Sequence, residues 1–203
     1  MTVIGLTGPT GSGKSTLCEI ASELGIKSID ADKVYHGLLI PPSKCLDEIV
    51  KAFGDRILDG NGSLNRPALA SIVFEKGAEE RLSLLNSITH KFVKEEFRRI
   101  IADMEKNGDS AVIVDAPTLY ESGFDGECDI TIAIISDRAT RSVRIIERDS
   151  LSEDRAEQRL SAQKPDEFFK ERADFVILND GDLNALREKF INVMRNHGGI
   201  DEN

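Results

Sequence analysis

The sequence predicts an α/β domain built on a parallel sheet. Three features carry that expectation: short apolar runs that end in aspartate, amphipathic helical stretches between them, and a glycine-rich loop joining the first strand to the first helix. A strand buried on both faces has no polar side, so Ala111-Val112-Ile113-Val114 reads as strand without any alternation.

The chain's 203 residues suffice for one domain with one or two small insertions, and 40% hydrophobic residues supply its core. No apolar run is long enough to span a bilayer. The chain enters its first strand directly, without the basic region and cleavage site of a secretory signal, so a cytoplasmic protein is expected. Cys18, Cys45 and Cys128 are far apart and form no C-x-x-C pair, which fits a reducing compartment and gives no thiolate metal site. His36, His90 and His197 share no metal-ligand spacing either. A net charge of −10 argues against a nucleic-acid surface. Neither a nucleic acid nor a membrane is expected as a partner.

The first strand lies near Val3–Thr7 and runs into Gly8–Ser15, G-P-T-G-S-G-K-S. This is the phosphate-binding loop G-x-x-x-x-G-K-[ST] in its strand–loop–helix context. Backbone N–H groups freed by its glycines wrap a nucleotide β-phosphate, and the positive end of the next helix adds attraction. Lys14 would reach the β- and γ-phosphates, and the Ser15 hydroxyl would ligate Mg²⁺. Leu17, Ile20, Ala21 and Leu24 make one stripe of the following helix, which Gly25 ends as a left-handed cap. A short second strand, Ile26–Ile29, stops at Asp30-Ala31-Asp32. In a parallel unit, ligands lie beyond the carboxyl ends of the strands, so Asp32 is expected at the same edge as the loop.

From Pro41 the pattern is helical only: Leu46–Phe53, a turn at Asp59–Gly62, Arg66–Phe74 with Asn65 as cap and Pro67 in its first turn, and Glu79–Lys106 as one helix or two. Roughly 65 residues without a strand, between two strands of one sheet, read as an inserted helical subdomain. Ala111–Val114 resumes the sheet, and Asp115 at its end fits a Walker B role, holding a Mg²⁺-bound water. Asp129–Ile135 and Asp174–Leu178 read as further strands, residues 137–172 as arginine-rich helix, and Leu183–Arg195 as a closing helix. The polar tail His197–Asn203 is expected to fray.

Phosphoryl transfer needs positioning, cations around the moving charge and a base near the acceptor hydroxyl. Asp32 is the preferred base, with Asp30 as the alternative. Arg141, Arg144 and Arg148 share one helix face, repeated by Arg155 and Arg159. They read either as a solvated face paired with Glu147, Asp149, Glu153 and Asp154, or as a mobile lid that brings a guanidinium to the γ-phosphate. Arg66 at a helix start is opposed by the helix dipole, a mild hint of an anionic ligand. His90 on its own reads as an ordinary helix residue.

Taken in order, these segments resemble the dephospho-coenzyme A kinase family from Ile4 to about Leu186. The resemblance is carried by Gly5-Leu6-Thr7-Gly8 with Gly11-Ser12-Gly13-Lys14-Ser15-Thr16, Ile29-Asp30-Ala31-Asp32, Gly62–Leu69, Asn86–His90, Asp115–Gly123, Arg148–Glu153, Arg159–Gln163 and Ala173–Asn179. It implies a three-layer α/β/α P-loop kinase core with a parallel sheet (about 1–40, 109–136 and 171–203), a helical coenzyme A-binding insertion (about 41–108) and an arginine-rich helical lid (about 137–170). The implied reaction is ATP-dependent phosphorylation of the ribose 3′-hydroxyl of dephospho-coenzyme A, giving coenzyme A and ADP, the last step of coenzyme A biosynthesis. Mg²⁺ is the implied cofactor, and a monomer or small homo-oligomer the implied state.

By the same resemblance Asp32 is the base, with Lys14 and Arg148 as the other catalytic residues. Gly11, Ser12, Gly13, Lys14, Ser15, Thr16 and Asn179 bind ATP; Asp32, Arg66, His90 and Glu121 bind the acceptor; Ser15 and, through water, Asp115 hold the metal. The chain departs from the family pattern at Pro9-Thr10, Lys91, Thr118, Tyr120 and Lys164. Two rivals to this reading are a P-loop kinase for a nucleoside monophosphate or small metabolite, and a GTPase-like switch or non-catalytic nucleotide-binding regulator. The second lacks the N-K-x-D of guanine recognition and the glycine of a D-x-x-G switch.

Overall fold

A computed structural model of the chain describes residues 1–196; the tail expected to fray, His197–Asn203, lies outside them. In chain order the elements are β1 (Thr2–Thr7), α1 (Lys14–Glu23), β2 (Lys27–Asp30), α2 (Ala31–Gly37), α3 (Lys44–Phe53), α4 (Arg66–Val73), α5 (Glu79–Lys106), β3 (Ala111–Asp115) and α6 (Leu119–Ser122). They continue with β4 (Ile130–Ile135), α7 (Arg138–Asp149), α8 (Glu153–Ser161), α9 (Asp166–Lys170), β5 (Phe175–Leu178) and α10 (Leu183–Asn196).

The strands form one sheet in the order β2-β3-β1-β4-β5. The strand that feeds the glycine-rich loop is therefore central, paired in parallel with β3 and β4, while β4 pairs in parallel with β5. Helices cover both faces, giving the expected three layers. On one, Ile4, Leu6, Ile132, Ile134 and Ile177 pack against Leu17 and Ile20 of α1 and Phe190 of α10. Each such fully buried side chain contributes about 1.5–3 kcal/mol. On the other, Ala133 and Ile135 meet Phe169 of α9. Gly5 has no room for a side chain there, because a Cβ would lie 2.7 Å from Leu119 and 2.9 Å from the Cys128 sulfur.

Three strands, β2, β4 and β5, start one residue later than the apolar pattern suggests. Just before β4 and β5, Asp129 and Asp174 turn their carboxylates onto neighbouring backbone donors: Asp129 Oδ2 accepts from Val3 N at 2.7 Å, and Asp174 Oδ2 from Thr131 N at 2.7 Å, while the Asp129 N–H donates to the Val3 carbonyl at 2.8 Å. Helix α5 is one unbroken helix of 28 residues. Helix α2 is an element the sequence pattern did not suggest.

The chain divides into two compact units, Met1–Ile29 with the chain from Ile101 onward, and Asp30–Ile100. The second unit has its own core, in which Ile49 and Phe53 of α3, Leu69 and Ile72 of α4 and Leu85 of α5 pack together. Ser43 caps α3 by accepting from Leu46 N, and Asn65 caps α4 by accepting from Ala68 N at 3.1 Å. Between them Asp59 closes a turn by accepting from the N–H groups of Asn61 and Ser63. Among the described residues, no helix is long and apolar enough to cross a membrane.

Candidate active site

The glycine-rich loop joins β1 to α1. Gly8, Gly11 and Gly13 all adopt positive φ, and at Gly11 a side chain would also strike the Arg141 carbonyl, 2.9 Å from a Cβ. Glycine is demanded there twice, by conformation and by space. Lys14, the first residue of α1, donates its ammonium to the Gly8 carbonyl at 2.8 Å and so closes the loop on itself. Ser15 is exposed one position on, and Thr16 is half-buried.

The outward-facing carbonyls of the loop are gripped from distant parts of the chain. The Asn179 amide, just beyond β5 and only 6% exposed, donates to the Ser12 carbonyl at 2.8 Å. Its backbone is fixed as well, donating to the Ile135 carbonyl at 2.7 Å and accepting from the Ser136 hydroxyl at 3.0 Å. Arg144 of α7 donates to the Gly11 carbonyl at 3.2 Å. Gln163, after α8, accepts from Thr10 N at 2.7 Å. Holding the Gly11 and Ser12 peptides by their carbonyls leaves neighbouring N–H groups to face a phosphate, whereas the Thr10 N–H is itself taken by Gln163.

The arginine face of α7 thus splits into three environments. Arg141 is buried and meets Asp166 of α9 at 3.1 Å. Arg144 serves the loop. Arg148 is exposed and lies along Asp149, donating through Nε at 2.8 Å and Nη2 at 2.9 Å, while Arg159 of α8 meets the same carboxylate. The hydrogen bond from Arg148 outweighs desolvation and, with the Arg148 charge and then the hydrogen bond and charge of Arg159, lowers the Asp149 pKa to about 2. The same hydrogen bond raises the Arg148 pKa. Of the four acids expected to solvate this face, Asp149 is the one that Arg148 meets.

Asp115 closes β3, aligned with Leu6 of β1, and its Oδ2 lies 3.9 Å from the Cys18 sulfur on α1. No group of three or more His, Cys, Asp or Glu side chains able to hold a metal occurs among the described residues. The two oxygen donors Ser15 and Asp115 fit Mg²⁺, which retains waters and takes its other ligands from a nucleotide's phosphates. Glu121 is exposed on α6.

Asp30, Asp32, Arg66 and His90 lie in the unit Asp30–Ile100. Asp30 is the cap of α2: its carboxylate accepts from Lys33 N at 3.0 Å and meets the Lys33 ammonium at 3.2 Å. Partial burial pulls the Asp30 pKa upward, but these Lys33 contacts outweigh it and hold the group below its ordinary value. Asp32, in the first turn, is exposed and accepts no side-chain hydrogen bond among the described residues. Of the two aspartates, one is committed to the fold and the other is open. Arg66 begins α4 and its Nη1 lies 3.2 Å from His36 Nε2 on α2. His90 is half-buried on α5 beside Thr89, whose hydroxyl bonds back to the Leu85 carbonyl at 3.0 Å.

Several departures from the family pattern find partners. The Lys91 ammonium pairs with Glu48 at 3.1 Å. Lys164 and Arg172 both lie over the Phe168 ring, at 5.3 and 4.2 Å, and Phe168 in turn packs edge-on against Tyr120. The substitutions at 120 and 164 are thus neighbours through one aromatic ring.

A dephospho-CoA kinase family profile matches residues 2–185. Dephospho-CoA kinase from Corynebacterium efficiens is 40% identical over 184 residues, 91% of each chain. That from Moorella thermoacetica is 40% identical over 188 residues, 92% of this chain and 88% of its own. Among solved structures, a Thermus thermophilus protein superposes with a TM-score of 0.78 at 28% identity, covering 97% of both chains. The dephospho-CoA kinase from Campylobacter jejuni gives 0.66 at 30% identity, covering 95% of both. With the profile matched over residues 2–185 and relatives 40% identical over more than nine-tenths of its length, the chain belongs to the dephospho-CoA kinase family.

Proposed function

We propose that Asp32 takes the proton of the ribose 3′-hydroxyl of dephospho-CoA as that oxygen attacks the γ-phosphorus of ATP. The reaction is the family's own: dephospho-CoA is phosphorylated to CoA. An O–P bond forms to the 3′-oxygen, the bond to the β,γ-bridging oxygen breaks, and ADP leaves with that electron pair. The observation that carries the assignment of the base is the division of labour at α2, where Asp30 is occupied by Lys33 and Asp32 is open.

Gly11, Ser12, Gly13, Lys14, Ser15 and Thr16 receive the donor phosphates, with the Lys14 ammonium exchanging the Gly8 carbonyl for a phosphate oxygen. Arg148 leaves Asp149 to offset charge on the transferring group. Ser15 and a water held by Asp115 would bind Mg²⁺, which when present draws charge from the β- and γ-phosphate oxygens. Arg66, His90 and Glu121 bind the acceptor, and residues 137–170 act as a lid that excludes water and so suppresses hydrolysis of ATP. Asn179 stands at the nucleotide through the loop it grips. Cys18, Cys45 and Cys128 are not in disulfides, which suits a cytoplasmic enzyme.

The test is ADP release by purified protein with dephospho-CoA as acceptor. Asp32→Asn should lower kcat by about a hundred-fold or more while the KM for ATP stays within about two-fold. Turnover like that of the wild type would remove Asp32 from the mechanism.

A further inference from the structure

Many arginines of this acidic chain are neutralised where they stand; Arg81, Arg138, Arg141, Arg148 and Arg187, among others, each lie against a carboxylate. Arg66 differs. Its hydrogen-bond partner is the His36 ring, and no carboxylate is within ion-pair distance among the described residues. A guanidinium has five donors and no acceptor, so a contact of 3.2 Å from Nη1 to Nε2 requires a lone pair on Nε2. His36 must then be neutral with its proton on Nδ1. Protonation of the ring would turn an attraction into a repulsion between two cations.

The consequence is a cation that is held but not discharged. A carboxylate partner would fix Arg66 equally well, yet it would cancel the charge that an anionic ligand needs. A neutral imidazole fixes one end of the fork and leaves the remaining N–H groups and the full positive charge for a phosphate. His36 also lies four residues after Asp32, on the same face of α2. One short helix therefore carries both the open carboxylate and, a turn later, the group that orients the acceptor's cation.

We infer that His36 is a positioning residue for the acceptor, holding Arg66 through a neutral Nε2 so that the guanidinium meets a phosphate oxygen of dephospho-CoA. This rests on the assignment of Arg66 to acceptor binding given above.

The experiment is steady-state kinetics on the full chain, varying ATP and dephospho-CoA separately, for His36→Leu, His36→Gln and Arg66→Gln. His36→Leu should raise the acceptor KM about three- to ten-fold, with kcat and the KM for ATP within about two-fold of wild type. His36→Gln, whose amide oxygen reaches the place of the Nε2 lone pair, should return the acceptor KM to within about two-fold. An unchanged acceptor KM in His36→Leu, or a glutamine variant as impaired as the leucine one, overturns the inference. If Arg66→Gln itself leaves the acceptor KM unchanged, the assignment of Arg66 fails instead. If Arg66→Gln raises it and His36→Leu does not, the failure belongs to His36 alone. Nitrogen NMR of the histidine rings gives a readout free of activity: a proton on Nδ1 of His36 supports the inference, and one on Nε2 refutes it.

Discussion

Replacing Asn179 by alanine separates a residue that touches nucleotide from one that builds the loop nucleotide binds. The alanine keeps the backbone bonds to Ile135 and Ser136 and removes only the amide. The Ser12 carbonyl then loses its 2.8 Å donor and keeps only the long contact from the Arg144 guanidinium at 3.5 Å. Leaving a buried carbonyl so poorly satisfied costs about 1–3 kcal/mol. In a chain of this size each kcal/mol lowers Tm by about 2–4 °C, so a cost of about 2 kcal/mol predicts a loss of about 4–8 °C. Circular dichroism melts of the nucleotide-free protein measure it. Asn179→Asp tests the cause, because it keeps the shape, loses the donor and sets a carboxylate against a carbonyl; its loss should be at least as large. If both variants melt within about 1 °C of wild type while the KM for ATP rises, the amide acts on nucleotide alone and the reasoning is wrong.

Three other outcomes follow from local geometry. Ser150, at φ 50° after α7, is the one non-glycine residue recorded with positive φ among those described; Ser150→Gly should raise Tm by about 1–4 °C, and a lower Tm would show that its side chain matters more than its backbone. The Asp149 carboxyl should titrate in NMR near 2 rather than near its ordinary value. Because its folded pKa is depressed, its stabilising contribution is full above about pH 4 and lost as pH falls toward 2. Replacing Arg148 by alanine should move that midpoint upward. Finally, burial pushes the Cys45 thiol to about 11 and the Cys128 thiol to about 12, with neighbouring carboxylates adding to it. Neither should react with iodoacetamide at about pH 8 in the folded protein, as mass spectrometry of peptides would report; alkylation of either would show that it is more open than the structure has it.

The strands, the glycine loop and the long helices were legible because each leaves a periodic or apolar trace in a short window. Ala111–Val114 has no polar face because it is buried on both sides, and α5 shows its boundaries through charge at each end. Helix α2 escaped notice for the opposite reason. Its seven residues bury nothing fully, so no stripe exists to read, and its one signal is the aspartate that caps it. The sequence preferred Asp32 to Asp30 as the base, and the resemblance named it, but neither could show that the Asp30 carboxylate caps α2 through Lys33 N. The grip on the phosphate loop was invisible in a different way. Arg144 and Gln163 had no local pattern that ties them to residues more than a hundred positions earlier. A helix face rich in arginine announces charge, not which carbonyl each guanidinium will hold.

That separation has a consequence for how the protein is made. The glycine-rich loop is synthesised almost at once, yet its carbonyl partners lie 133 residues later at Arg144 and 167 later at Asn179. At about 5–20 residues per second, the loop waits roughly ten to thirty seconds for them. Its host strand is equally early, and the neighbours that flank it arrive only with β3 and β4. A nascent chain released before β5 would carry every residue of the nucleotide motif, with Arg144 and Gln163, and still lack the Asn179 amide that holds the Ser12 carbonyl. The last of the loop's grips is therefore added late in translation, close to the point at which the whole sheet can close.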